Sequence, residues 1–147
     1  MGLVSFPAAP SPILVDTSFL VSVYDKRERY HLRCMAALAQ VRQPLVTCEP
    51  VVTETLYHLR RIPRAPRAIL ANIQLGHLEI PFQLAGGASQ VLAHYTKYAD
   101  TPCDFADACL IQMADELDTG DILTLDSDFR HYRWRRNRSF RLLIPLG

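Results

Sequence analysis

Apolar positions along the chain fall into two alternating kinds of segment. Short continuous runs bounded by proline, glycine or polar residues, ILVD from Ile13, PLVTC from Pro44, HLEIP from His77, ILTLD from Ile122 and FRLLIP from Phe140, read as strands. Between them lie longer stretches with helical spacing. FLVSVYD follows Asp16 with Thr17 or Ser18 available as its cap, and RYHLRCMAALAQV continues as a second helix. Pro50 suits the first turn of a helix through VVTETLYHLRR, which Pro63 and Pro66 should stop. AILANIQLG ends at Gly76, and Gly86 and Gly87 precede a helix over ASQVLAHYTKYA. DFADACLIQMADEL carries the clearest stripe, with Phe105, Cys109, Met113 and Leu117 at i+4 and Gly120 to end it, while SDFRHYRWRRNRS reads as a polar loop. Strands separated by helices need crossover connections, so the expected class is α/β with a mostly parallel sheet and helices on both faces.

Composition narrows this to one globular unit. The 147 residues suit a single domain over 13–147, preceded by an irregular lead-in, 1–12, that contains Pro7, Pro10 and Pro12. At 49% apolar and 21% charged, the chain is built to fold rather than to stay disordered. No apolar run nears the roughly 20 residues of a membrane span, and the start lacks the basic and apolar regions of a secretory signal, so a cytoplasmic protein with no membrane partner is expected. Cys34, Cys48, Cys103 and Cys109 show no CxxC spacing and are expected reduced and mostly buried, without zinc. No GxSxG, GxGxxG or P-loop is present, which argues against serine hydrolysis and against a nucleotide cofactor.

Candidate chemistry rests on acids. In open parallel sheets functional groups gather beyond the carboxyl ends of the strands, and there two apolar runs of the same design finish on Asp16 and Asp126. Either could serve a turn or a cap; two together point further. Asp104 and Asp107 open a helix three residues apart, where the helix dipole favours negative charge, and Asp107 sits between Ala106 and Ala108 where the backbone can approach its neighbours. Glu54 falls early in the helix after the second strand, with Glu49 as its rival. Acids converging from separate segments would repel one another unless a cation neutralised them. Carboxylate oxygens without a His or Cys cluster suit Mg²⁺ or Mn²⁺, and the chemistry such ions serve is in-line attack of water on a phosphodiester. An aspartyl phosphatase would want a second Asp where Ser18 stands, and a receiver domain would want a late-strand lysine, whereas Lys26 and Lys97 are the only two. His58 and His94 read as packed or surface residues rather than bases.

Taken in order, ILVDTSFL, VVTETLYHLRR, DFADACLIQMADEL and ILTLDSDFRHYR resemble the acid-bearing blocks of a PIN domain, of the kind found in the ribonuclease toxins of prokaryotic toxin–antitoxin pairs. The likeness spans Ile13 to Pro145. It implies a three-layer α/β/α sandwich around the parallel sheet, and metal binding by Asp16, Glu54, Asp107 and Asp126 with Asp104 and Asp128 as auxiliaries. Thr124 resembles a small hydroxyl residue common in the fourth block. It further implies Mg²⁺ or Mn²⁺ dependence, RNA as substrate, a small inhibitory antitoxin and a homodimer. The alternative is a PIN-fold RNA-binding or scaffold protein without cleavage activity. The net charge of +1 hides a C-terminal run of arginines with no acid after Asp128. With RNA as substrate, Arg130, Arg133, Arg135 and Arg136 are placed to bind its backbone, and Tyr132 and Trp134 to stack on its bases.

Overall fold

The computed structural model describes residues 10–145; most of the expected lead-in, 1–12, lies outside them. Strand β1 (Ile13–Val15) leads directly into α1 (Thr17–Tyr24) and α2 (His31–Gln40). Strand β2 (Leu45–Val46) is followed by α3 (Glu49–His58), α4 (Arg64–Gln74), α5 (Leu84–Lys97) and α6 (Phe105–Leu117). Strand β3 (Asp121–Leu123), a 3₁₀ turn (Ser127–Arg130), β4 (Arg133–Trp134), β5 (Arg138–Ser139) and β6 (Arg141–Leu142) complete the order.

Four strands form one sheet in the order β2-β1-β3-β6, and every pairing is parallel. With helices flanking the sheet, this is the expected α/β/α class. Consecutive connections first carry the chain outward from β1 to β2 and then back to β3 on the other side of β1. The order therefore reverses between β1 and β3, and it is beyond the carboxyl ends of such a pair that a crevice opens. Ile13, Leu14, Val15, Ile122 and Leu123 are all buried, which is why these runs are continuously apolar rather than alternating. Helix α6 packs against β1, α3 and α5 and is buried without a break from Ala106 to Ala114. Its small residues, Ala106 and Ala108, let it sit close to its neighbours. No helix among the described residues is long and apolar enough to cross a membrane.

Several local expectations change. HLEIP forms no strand of its own: Glu79 makes an isolated parallel bridge to Val46, with the N–H of Thr47 donating to the Glu79 carbonyl at 3.0 Å. Helix α5 starts at Leu84 and runs through Gly86 and Gly87 rather than after them. A Cβ on Gly87 would stand 3.2 Å from the Phe82 ring, so glycine there admits that ring against the helix. Helix α6 ends not at Gly120 but at Asp118, which adopts a left-handed φ of 54°. The segment after Asp126 is a 3₁₀ turn and an antiparallel β4–β5 hairpin rather than a polar loop. Its aromatics supply the reason: Phe129, Tyr132 and Trp134 are buried, and Tyr132 stacks edge-on against both Phe129 and Tyr98 at 5.0 Å. All four cysteines are buried and free, as expected.

Candidate metal centre

Asp16 does two jobs at the end of β1. Its backbone is extended (φ −97°, ψ 163°), so it caps α1 itself: Oδ1 accepts from the Thr17 N–H at 2.7 Å, and neither Thr17 nor Ser18 is the cap. Its other oxygen, Oδ2, accepts from the Thr124 hydroxyl at 2.7 Å. That hydroxyl also accepts from the Asp126 N–H at 3.0 Å, and the Ser18 hydroxyl accepts from the Leu125 N–H at 2.9 Å. The loops leaving β1 and β3 are thereby stitched together, and Asp126 is presented beside Asp16. Asp126 in turn caps the 3₁₀ turn through the Asp128 N–H, and Asp104 caps α6 through the Asp107 N–H. Three helical segments thus begin at this cleft, with their partially positive ends toward the acids.

Asp107 lies in the first turn of α6. It is 6% exposed, and its Oδ2 accepts from the Tyr132 hydroxyl at 2.9 Å. Glu54, half-buried on α3, accepts from the Thr17 hydroxyl at 2.9 Å. One carboxylate oxygen from each of Asp16, Asp107 and Asp126 lies within 4.8 Å of the others. Glu54 and Asp104 are outside that trio but line the same open cleft of about 370 Å³, together with Thr17, Ser18, Glu28 and His58. Asp128 stands behind Asp126 on the 3₁₀ turn. Glu49, the rival of Glu54, is exposed and lines a neighbouring apolar cavity with Phe82 and Phe105.

Electrostatics mark the trio as uncompensated. Burial pushes the Asp16 carboxyl up to about 6, against the lowering pull of its Thr124 and Thr17 hydrogen bonds. Asp107 is pushed up to about 8, first by burial and then by the charges of Asp104 and Asp16. Asp126 is raised too, chiefly by burial. No lysine or arginine lines the cleft among the described residues. Buried carboxylates that converge without a basic partner fit a hard divalent cation: the donors are all oxygen, and no cysteine or histidine belongs to the trio.

The arginines expected at RNA are scattered. Arg133 spends its guanidinium on the carbonyls of Arg130 and Tyr132. Arg135 pairs with Asp118 at 2.9 Å, and by helix geometry Asp118 stands about 16 Å along α6 from Asp107. Arg130 and Arg136 are exposed. Tyr132 is 1% exposed and Trp134 buries its indole, whose N–H donates to the Ser139 carbonyl at 3.1 Å, so neither ring is free to stack on a base. Tyr132 instead orients Asp107, a role that no sequence signal announces across 25 residues. The roles of Thr17 and Ser18 had a faint signal, hydroxyls next to a strand-end acid. His58 is exposed at the rim of the cleft, while His94 faces Asp115 and Gln112.

Comparison with known proteins identifies the family. The PIN domain model matches residues 13–135. Ribonuclease VapC26 of Mycobacterium tuberculosis is 30% identical over 137 residues, covering 92% of this chain and 94% of that protein. The crystal structure of M. tuberculosis VapC20, described as a sarcin-ricin loop cleaving toxin, superimposes with a TM-score of 0.74 at 22% identity, covering 86% of this chain and 98% of that one. With the family model spanning both strand-end acids and the curated relative aligned over nearly its whole length, the chain belongs to the PIN domain family.

Proposed function

We propose that the protein is a metal-dependent endoribonuclease and the toxin of a toxin–antitoxin pair, with Mg²⁺ or Mn²⁺ as its ion. The observation that carries this is the convergence of Asp16, Asp107 and Asp126 within 4.8 Å in a cleft that no lysine or arginine lines among the described residues. Family membership and the ribonuclease and toxin descriptions of VapC26 and VapC20 support the substrate class and the biological role. A noncatalytic scaffold would have no use for a buried, mutually repelling trio, which costs stability when unfilled.

Asp16, Asp107 and Asp126 hold the cation in this reading, with Glu54 and Asp104 facing the same cleft and Asp128 supporting Asp126. Such an ion supplies a Lewis acid for the phosphoryl oxygens and a source of hydroxide at neutral pH. The chain's own contribution is rigidity: Thr124 fixes Asp16, Tyr132 fixes Asp107, and the Asp128 N–H fixes Asp126. Those bonds occupy Oδ2 of Asp107 and Oδ1 of Asp126, while both Asp16 oxygens already accept one bond each and would offer the cation a second lone pair. Arg130, Arg133, Arg135 and Arg136 are the candidates for the RNA backbone, and Arg133 and Arg135 would have to exchange their present partners for it. A small antitoxin that inhibits the enzyme and a homodimeric assembly complete the proposal.

The test is RNA cleavage by the purified protein with Mg²⁺ or Mn²⁺, beside the same protein in EDTA and an Asp16→Asn variant. Cleavage only by the metal-loaded native chain is expected. Equal cleavage by the variant, or an unchanged rate in EDTA, would overturn the assignment.

A further inference from the structure

Residues 55–78 contain four arginines, Arg60, Arg61, Arg64 and Arg67, two histidines and no acid. All four arginines are exposed, and none forms a salt bridge among the described residues. The C-terminal arginines differ: Arg135 is held by Asp118, Arg141 by Asp121, and Arg138 lies over the Trp134 ring. The fold also decides where the free charge stands. Ala65 and Ile69 bury one face of α4 against Leu59 and Val21, which turns Arg64 and Arg67, three residues apart, to the solvent face. Val21 and His58 both line the acidic cleft, so the arginine segment begins at its rim. There Tyr57, 61% exposed, carries the Arg60 guanidinium over its ring at 4.1 Å and the His58 ring edge-on at 6.0 Å.

We propose that this strip, Tyr57 with Arg61, Arg64 and Arg67, is the surface that holds unpaired RNA as it runs into the cleft. The inference rests on the ribonuclease reading for its destination. An acidic cleft repels the phosphates it must receive, so binding energy has to come from positive surface beside it. Unpaired arginines supply that charge, and an exposed tyrosine under a guanidinium is a platform on which a base can stack. A second copy meeting this strip with its own would set arginine against arginine and be repelled.

The test is fluorescence anisotropy of a labelled single-stranded RNA of about a dozen nucleotides, titrated with the full chain in EDTA over a range of salt. Compared with the native chain, an Arg61→Ala, Arg64→Ala, Arg67→Ala triple variant should bind at least about tenfold more weakly at low salt, with a slope of log affinity against log salt shallower by about 2. Tyr57→Ala should weaken binding with the slope retained, and a triple Arg→Lys variant should keep most of the slope. Unchanged affinity and slope in a triple variant whose melting profile matches the native chain would overturn the proposal. So would a changed oligomeric state in size-exclusion chromatography with RNA binding intact, which would make the strip a protein interface. Failure of the ribonuclease reading shows separately, as no metal-dependent cleavage by a native chain whose binding still depends on the strip.

Discussion

Two charged regions of this molecule obey opposite rules. At the carboxyl ends of β1 and β3, Asp16, Asp107 and Asp126 are drawn together, mostly buried, and given hydroxyls and N–H groups but, among the described residues, no lysine or arginine. Around the β4–β5 hairpin and β6, charge is settled locally: Arg135 meets Asp118, and Arg141 meets Asp121 through paired bonds at 2.8 and 2.6 Å. Exposed pairs of that kind contribute little and need nothing further. A buried carboxylate trio costs free energy until something positive arrives, so it is the charge left unpaired that points to function.

Removing one charge from each region separates them. Asp107→Asn keeps the Tyr132 contact and the shape of α6 but takes out the most strongly raised acid. RNA cleavage should fall by roughly 100-fold or more, since even losing a group that merely orients a ligand costs about 10- to 100-fold. Metal-free thermal stability should hold or rise, because a repelling charge has gone. A fall in both would mean that Asp107 serves the fold.

The trio also predicts a pH dependence with a definite sign. A carboxyl whose pKa is raised in the folded chain favours folding while protonated; that contribution is complete below its ordinary value of 3.8 and fades as pH climbs through the folded value. With Asp16 at about 6 and Asp107 at about 8, the melting temperature in EDTA should decline by several degrees between pH 5 and pH 8. Millimolar Mg²⁺ should recover the loss, most at the alkaline end where the protons are already gone. A flat profile in EDTA would contradict the burial and repulsion described above.

The smallest effect belongs to the hairpin side. Arg141→Ala breaks an exposed pair, so stability should change by no more than about 1 kcal/mol and cleavage should not change at all. A larger loss in denaturant unfolding would show that β6 depends on this pair to stay in the sheet.

Much of the site was legible along the chain because strand and helix periodicity is local. ILVD and ILTLD each had to end where apolar burial stops, and in a parallel sheet those ends share one edge. Glu54 over Glu49 became clear only in space: one lines the acidic cleft as well as the apolar cavity beside it, the other only the cavity. The place of the C-terminal arginines is set by distance in the same way. Proximity in sequence to Asp126 suggested Arg133 and Arg135, but the hairpin folds back along α6 and carries Arg135 to its far end. Trp134 and Tyr132 likewise followed the polar character of their neighbours when their own rings had a core to fill.

By itself the sequence determined the main helices and the strands of the central sheet, that those strands run parallel, and which carboxylates lie at the sheet's carboxyl edge, since these follow from short-range periodicity and chain connectivity. Tertiary structure alone decided that Asp16, Asp107 and Asp126 meet, that Tyr132 serves Asp107, and that His58, next to the arginines of 60–67, lines the acidic cleft. Convergence and compensation of charge depend on distances between residues far apart in the chain, and periodicity carries no record of those distances.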